Sequence, residues 1–133
     1  MLLSPILQSI KEDPEASCLF RLDKDEWTIF SRQDVLDAAF RLCGQWKRDG
    51  LKSGDRILLL MENRPEWAVT AIASGLYGLV LVPAYTTHLP HEIEYLLNRS
   101  EAAAVMTSDG ELRARFETLS ISASLHLYFA TND

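Results

Sequence analysis

Two arginines set close together are the residues here with the clearest chemical potential. Arg113 and Arg115 follow the turn Ser108-Asp109-Gly110. Neighbouring guanidinium groups can hold a phosphate through forked, charge-assisted hydrogen bonds. The same residue types also suit a solvated helix face, and taken alone they favour that plainer role. His88 and His91, with Glu92 and Glu94 beside them, raise metal binding. Pro90 sets a helix start between the two histidines, so they need not share a face. Acidic residues in a first helical turn suit the helix dipole without any metal, and no metal site is assigned. Gly50-Leu51-Lys52-Ser53-Gly54 combines two glycines with a lysine. It precedes a strand, whereas a phosphate loop should feed a helix N-terminus. The sequence has no GxGxxG, no GxxxxGK[ST] and no GxSxG. No carboxylate pair sits in an apolar setting that would raise one pKa. No catalytic residue is therefore assigned.

The totals narrow the class. The chain has 133 residues, 47% hydrophobic and 24% charged, as expected for one globular domain over 1–133. A net charge of −6 argues against broad binding to nucleic acid or to an anionic membrane. Cys18 and Cys43 form neither a CxxC pair nor a zinc spacing, and read as reduced thiols. Cys43 is expected near the apolar face of a helix, Cys18 in a strand. Met1–Pro5 lacks a basic leader and Pro5 interrupts the apolar run, so a cytoplasmic location is expected. Trp67–Ala84 carries no charge but is interrupted by Ser74-Gly75 and Gly78 and is ended by Pro83. It reads as a buried helix followed by a buried strand, not as a transmembrane segment.

The elements that must position these residues follow from periodicity. Ile6, Leu7 and Ile10 mark a short first helix. Cys18–Leu22 and Glu26–Phe30 read as the arms of a hairpin around Asp23-Lys24-Asp25. Ser31 and Asp34 form a capping-box start for a long amphipathic helix, with Val35, Ala38, Ala39, Leu42, Cys43 and Trp46 on one stripe and Gly50 as its stop. Ile57–Met61 is a continuous apolar run, as in a strand covered on both faces. Pro65 opens a helix that stops at Gly78. Leu79–Val82 is the next strand, and Pro90–Asn98 a helix with Ile93, Leu96 and Leu97 inward. Ala102–Thr107, Glu111–Leu119 and Leu125–Phe129 read as strand, helix and strand, with His126 structural. The fold class is α/β: an N-terminal hairpin and long helix, then a mostly parallel sheet with flanking helices.

With these elements in order, the sequence resembles the adenylate-forming superfamily, which holds acyl- and aryl-CoA synthetases, luciferases and peptide-synthetase adenylation domains. Leu51–Trp67 is similar to that family's "G-[VL]-x-x-G-D-R-V" turn and strand followed by "N-x-P-E-[WF]". Gly75–Pro83 looks like its "K-x-G-A-V-x-V-P" passage. Thr87-His88-Leu89 and Glu92–Asn98 are similar to a "T-H-L-x-x-x-E-[IV]-x-Y" stretch of fatty acyl-CoA synthetases. Glu26-Trp27-Thr28 fits "W-T-Y-x-E-L", although Ile29–Asp34 departs from that pattern. The resemblance runs from about residue 18 to 129.

The resemblance implies the N-terminal subdomain of an AMP-dependent synthetase or ligase acting on a carboxylic or fatty acid. The family's "[ST]-[ST]-G-[ST]-T-G-x-P-K-G" loop, its "Y-G-x-T-E" motif, its ribose-binding aspartate and its C-terminal lysine are not in these 133 residues. ATP, Mg²⁺ and CoA are thus expected to serve a longer parent enzyme, none being bound by this chain, with a cut at residue 133 and no turnover alone. The expected partner is the remainder of the catalytic domain. The alternative is a free-standing module that pairs with itself through exposed apolar surface. Met106–Arg115 looks similar to the "I-T-x-D-x-G" turn with trailing arginines that holds CoA phosphates in the acetyl-CoA synthetase branch. By that resemblance Arg113 and Arg115 become candidate CoA contacts.

Overall fold

The computed structural model describes residues 3–121 and 124–130. The expected cut at residue 133 falls outside them. Helix α1 (Leu3–Glu12) leads to an antiparallel hairpin, β1 (Ser17–Asp23) and β2 (Glu26–Ser31). Helix α2 (Arg32–Arg48) follows. Then come β3 (Arg56–Leu60), α3 (Pro65–Tyr77), β4 (Val80–Ala84), α4 (Pro90–Ser100), β5 (Ala104–Ser108), α5 (Glu111–Glu117) and β6 (His126–Ala130). The last four strands form one parallel sheet in the order β4-β3-β5-β6.

The helix boundaries have local causes. Ser31 accepts from the Asp34 N–H at 3.0 Å and its own N–H donates to the Asp34 carboxylate at 2.9 Å, completing the expected capping box. Gly50 takes φ +85° just past α2. Gly78 takes φ +93°, and a Cβ there would stand 2.3 Å from the Ser53 hydroxyl oxygen. Only glycine therefore lets the α3–β4 corner close against the turn before β3. In α3 the buried Thr70 and Ser74 hydroxyls donate back to carbonyls one turn earlier, at 2.7 and 2.8 Å, so neither is left unpaired.

The sheet divides the core in two. Ile57, Leu59 and Met61 face α2 and α3 with Ala39, Trp46 and Ala73. Leu58 and Leu60 face α4 and α5 with Ile93, Leu112 and Phe116. Ile57 through Leu60 are fully buried, as expected for a strand covered on both faces. Beneath α2, Trp46 packs edge-on to Tyr77 with ring centroids 5.8 Å apart. The Tyr77 hydroxyl donates to the Leu51 carbonyl, and the Tyr128 hydroxyl donates to the Asp49 carboxylate at 2.6 Å. These contacts tie the end of α2 to α3 and to the far strand β6. Cys43 lies half-buried on α2, its thiol toward the Ala73 carbonyl, and burial pushes its pKa up. Cys18 is exposed in β1.

Two expectations about Leu79–Val82 are corrected. Pro83 does not end the strand but pairs with Leu59 inside it. The strand is not buried either, since Val80 is 49% exposed. Both follow from order: β4 is an edge strand, so the missing proline N–H removes no ladder bond and one side lacks a covering neighbour. Among the described residues no helix is long and apolar enough to cross a membrane.

Trp46→Ala should lower unfolding free energy by about 3–5 kcal/mol, whereas Phe40→Ala on the exposed side of the same helix should stay within about 0.5 kcal/mol; urea denaturation of both variants checks this. A second expectation concerns pH. Burial and the Asp49 hydrogen bond push the Tyr128 hydroxyl well above its ordinary value of 10.0. Stability from Tyr128 is therefore complete below pH 10.0 and is lost as pH rises beyond it, because the unfolded tyrosine ionises first. The Tyr128 hydroxyl holds the Asp49 carboxyl below its ordinary 3.8, so its contribution is present above that pH and is lost as pH falls through the lower folded value. Tyr128→Phe should flatten both limbs of a plot of melting temperature against pH.

Candidate functional site

In an open parallel sheet the strand ends that face a ligand are the carboxyl ends, and the crevice opens where successive crossovers leave on opposite faces. Here that place lies between β3 and β5. The helix after β3 packs on one face of the sheet and the helix after β5 on the other. Glu62 follows β3 and Ser108 ends β5. The Ser108 hydroxyl donates to the Glu62 carboxylate across the gap.

Glu62 begins a relay of alternating charge. Arg64 approaches Glu62 at 3.4 Å and reaches Glu66 at 2.7 Å, and Glu66 pairs in turn with Arg21 of the hairpin. The Arg64 side chain is only 10% exposed, so its cation is neutralised by the flanking carboxylates rather than by water. Burial alone would lift the Glu62 carboxyl. The Ser108 hydroxyl, a backbone N–H and Arg64 outweigh burial and hold it below the usual carboxylate range. Glu62 is therefore an anion at neutral pH. The crevice beside it has a volume of about 420 Å³ and is lined by Glu62, Asn63, Trp67, Tyr85 and Thr86 among others.

This arrangement can bind and orient. It offers an ionised carboxylate, a carboxamide, two hydroxyls and an indole face. It is not a phosphate cradle: helix α3 starts at Pro65, which has no N–H, and Glu62 would repel a phosphate at the switch point. Among the described residues no three of His, Cys, Asp or Glu stand together as a metal site.

The two sequence candidates sit on α5 and take different partners, since residues two apart on a helix do not face each other. Arg113 lies over the Phe129 ring, 4.1 Å from its centroid, and pairs with Asp109 at 3.4 Å and Glu117 at 3.7 Å. Arg115 turns to the loop after β4, donating to the carbonyls of Thr86 and His88, and pairs with Glu111 at 3.1 Å. In that loop His88 Nδ1 accepts from the Tyr85 N–H at 3.1 Å. His126 opens β6 stacked on Tyr128. Glu62, Ser108, Arg64 and Tyr85 escaped the sequence reading. The only signal for the first two was position, each lying at the carboxyl end of a buried strand.

A family model described as AMP-binding enzyme matches residues 7–129. A probable CoA ligase from Humulus lupulus, CCL6, is 27% identical over 122 residues, covering 88% of this chain and 18% of that protein. Human long-chain-fatty-acid–CoA ligase 6 is 33% identical over 92 residues, covering 67% of this chain and 13% of that protein. The chain thus spans less than a fifth of these relatives' length. Among solved structures, IdnL1 superposes with a TM-score of 0.83 at 16% identity, covering 96% of this chain and 25% of that one. The N-terminal domain of FACL13 from Mycobacterium tuberculosis gives 0.81 at 18%, covering 96% of this chain and 33% of that one. At such identities the structures speak for the fold. With the family model matched across nearly the whole chain and the fold that of the N-terminal subdomain of adenylate-forming enzymes, this chain belongs to the AMP-binding enzyme family.

Proposed function

We propose that this chain serves as the N-terminal subdomain of an AMP-forming acyl-CoA synthetase and does not turn over alone. In the complete reaction a carboxylate oxygen attacks the α-phosphorus of ATP and pyrophosphate leaves. The CoA sulfur then attacks the acyl carbon and AMP leaves. The observation that carries the reading is the AMP-binding enzyme match over residues 7–129 in a chain that spans less than a fifth of its CoA-ligase relatives; the carboxyl-edge crevice, with Glu62 ionised, adds groups that can orient a ligand. The substrate class is a carboxylic or fatty acid, as the names of the relatives suggest. ATP and Mg²⁺ belong in this reading to the remainder of the catalytic domain, the proposed partner, in the cytoplasm.

Arg113 and Arg115 are the proposed contact to the CoA phosphates. Arg113 is the more available of the two. Its side chain is 43% exposed, and its partners Asp109 and Glu117 are exposed at 41% and 68%, so water already screens those pairs. A phosphate could replace them without burying a charge. Arg115 would act by holding the loop at Thr86–His88 in place.

Incubated with ATP, Mg²⁺, CoA and a panel of carboxylic acids, the chain should form no acyl-CoA above a heat-denatured control; turnover would overturn the reading. In the complete synthetase, Arg113→Gln should weaken CoA binding roughly tenfold, the loss of one charge-assisted contact, as read by CoA titration. Unchanged CoA binding in that variant would remove Arg113 from the site.

A further inference from the structure

The turn Tyr85–His88, between β4 and α4, is held from within and from outside. The His88 N–H donates to the Tyr85 carbonyl at 3.0 Å, and the Tyr85 N–H donates to His88 Nδ1 at 3.1 Å. The two rings tilt together with centroids 5.4 Å apart. Arg115 holds the turn from outside. Its Nη1 donates to the Thr86 carbonyl and to the His88 carbonyl, the latter at 3.2 Å, while its Nη2 donates to Glu111 at 3.1 Å. The reach is long. Helix α5 follows β5 and the turn follows β4, two places away in the sheet order, with β3 between them.

Folding alone does not call for this clamp. Helix α4 is capped without it, since the Leu89 N–H donates to the Glu92 carboxylate at 2.8 Å. Tyr85 adds nothing to the core, being 75% exposed. What the clamp does fix is the β4 side of the crevice, where Tyr85 and Thr86 share the lining with Glu62, Asn63 and Trp67. An exposed loop ordinarily samples several positions. A wall held in one position removes that ordering cost when a ligand arrives.

We propose that Tyr85 is a substrate-contact residue of the crevice and that Arg115 and His88 are its positioning residues. Arg115 then serves the reaction through the turn and not through a phosphate. Its Nη1 has two N–H groups, and carbonyls engage both. A phosphate taking the Nη1–Nη2 fork would have to release the turn. Arg113, whose partners are exposed, is left for that contact. Because Glu62 is ionised, the part of the substrate that meets Tyr85 carries no carboxylate or phosphate.

The inference rests on the acyl-CoA synthetase reading, and its test uses the complete synthetase with kcat/KM for CoA as the readout. Arg115→Gln and, separately, His88→Ala should each lower it roughly tenfold, the scale of a wall displaced by less than about 1 Å. The double variant should lose no more than about threefold beyond either single one, because both side chains hold one turn. Arg113→Gln combined with His88→Ala should instead lose the product of the two, roughly a hundredfold, as independent sites do. Tyr85→Ala should match Arg115→Gln in activity and keep the wild-type melting temperature, the ring being exposed. In hydrogen exchange, the Tyr85 and His88 amides should exchange roughly tenfold faster in Arg115→Gln and at the wild-type rate in Arg113→Gln. Losses from Arg115→Gln and His88→Ala that multiply would overturn the proposal, because Arg115 would then act apart from the turn. So would wild-type activity in Tyr85→Ala, or unchanged exchange in Arg115→Gln. A wild-type enzyme that forms no acyl-CoA fails the underlying reading instead. The two failures are told apart because hydrogen exchange needs no turnover.

Discussion

Strands β3 and β5 form the centre of the sheet, each with a paired strand on both edges and helices on both faces. Ile57–Leu60 of β3 and Ala104–Met106 of β5 alternate between the two cores, so α2 and α3 are held to α4 and α5 through this central pair. A residue at such a place gains from burial on one face while its backbone is paired on both edges. Each fully buried leucine there contributes about 1.5–3 kcal/mol. The crossovers then follow from connection rules. Right-handed connections run outward from this pair, β3 to β4 and β5 to β6, and send α3 to one face and α5 to the other, which opens the crevice at the Glu62–Ser108 gap.

The charged relay from Ser108 to Arg21 does what the core cannot. Apolar contact is non-directional, and it would hold the hairpin against α2 and α3 in more than one orientation. Glu62, Arg64, Glu66 and Arg21 meet with defined geometry, and they link the loop after β3 to the hairpin. Because Arg64 is almost buried, removal of a flanking carboxylate would take away part of its charge compensation where water cannot replace it. The relay thus fixes orientation more than it adds stability. It also keeps Glu62 ionised where the crevice opens, and this sets what the site can receive.

The elements themselves were largely legible in the residues. The capping box at Ser31, the glycine stops at Gly50 and Gly78, Pro65 at a helix start and the unbroken apolar run at Ile57–Met61 are local signals, and each structure forms within a few residues of its cause. The reading faltered at Leu79–Val82 because an apolar run looks the same in a central strand and in an edge strand. Pro83 then looked like a stop. Whether a strand has one neighbour or two depends on partners elsewhere in the chain, and no local pattern carries that.

The sequence by itself determined the period of each element, its ends and, through the ordered motifs from the hairpin to β6, the family. Tertiary structure alone decided the site. Ser108 and Glu62 are 46 residues apart, Arg21 and Glu66 are 45 apart, and Tyr128 and Asp49 are 79 apart. Such pairs meet because strands of distant sequence lie side by side. The partition of Arg113 and Arg115 was decided the same way. Two residues apart, they leave the helix in different directions, and the fold sets Phe129 beside one and the Thr86–His88 loop beside the other. Local structure answers to spacing along the chain, whereas a binding site answers to which chain ends the fold brings together.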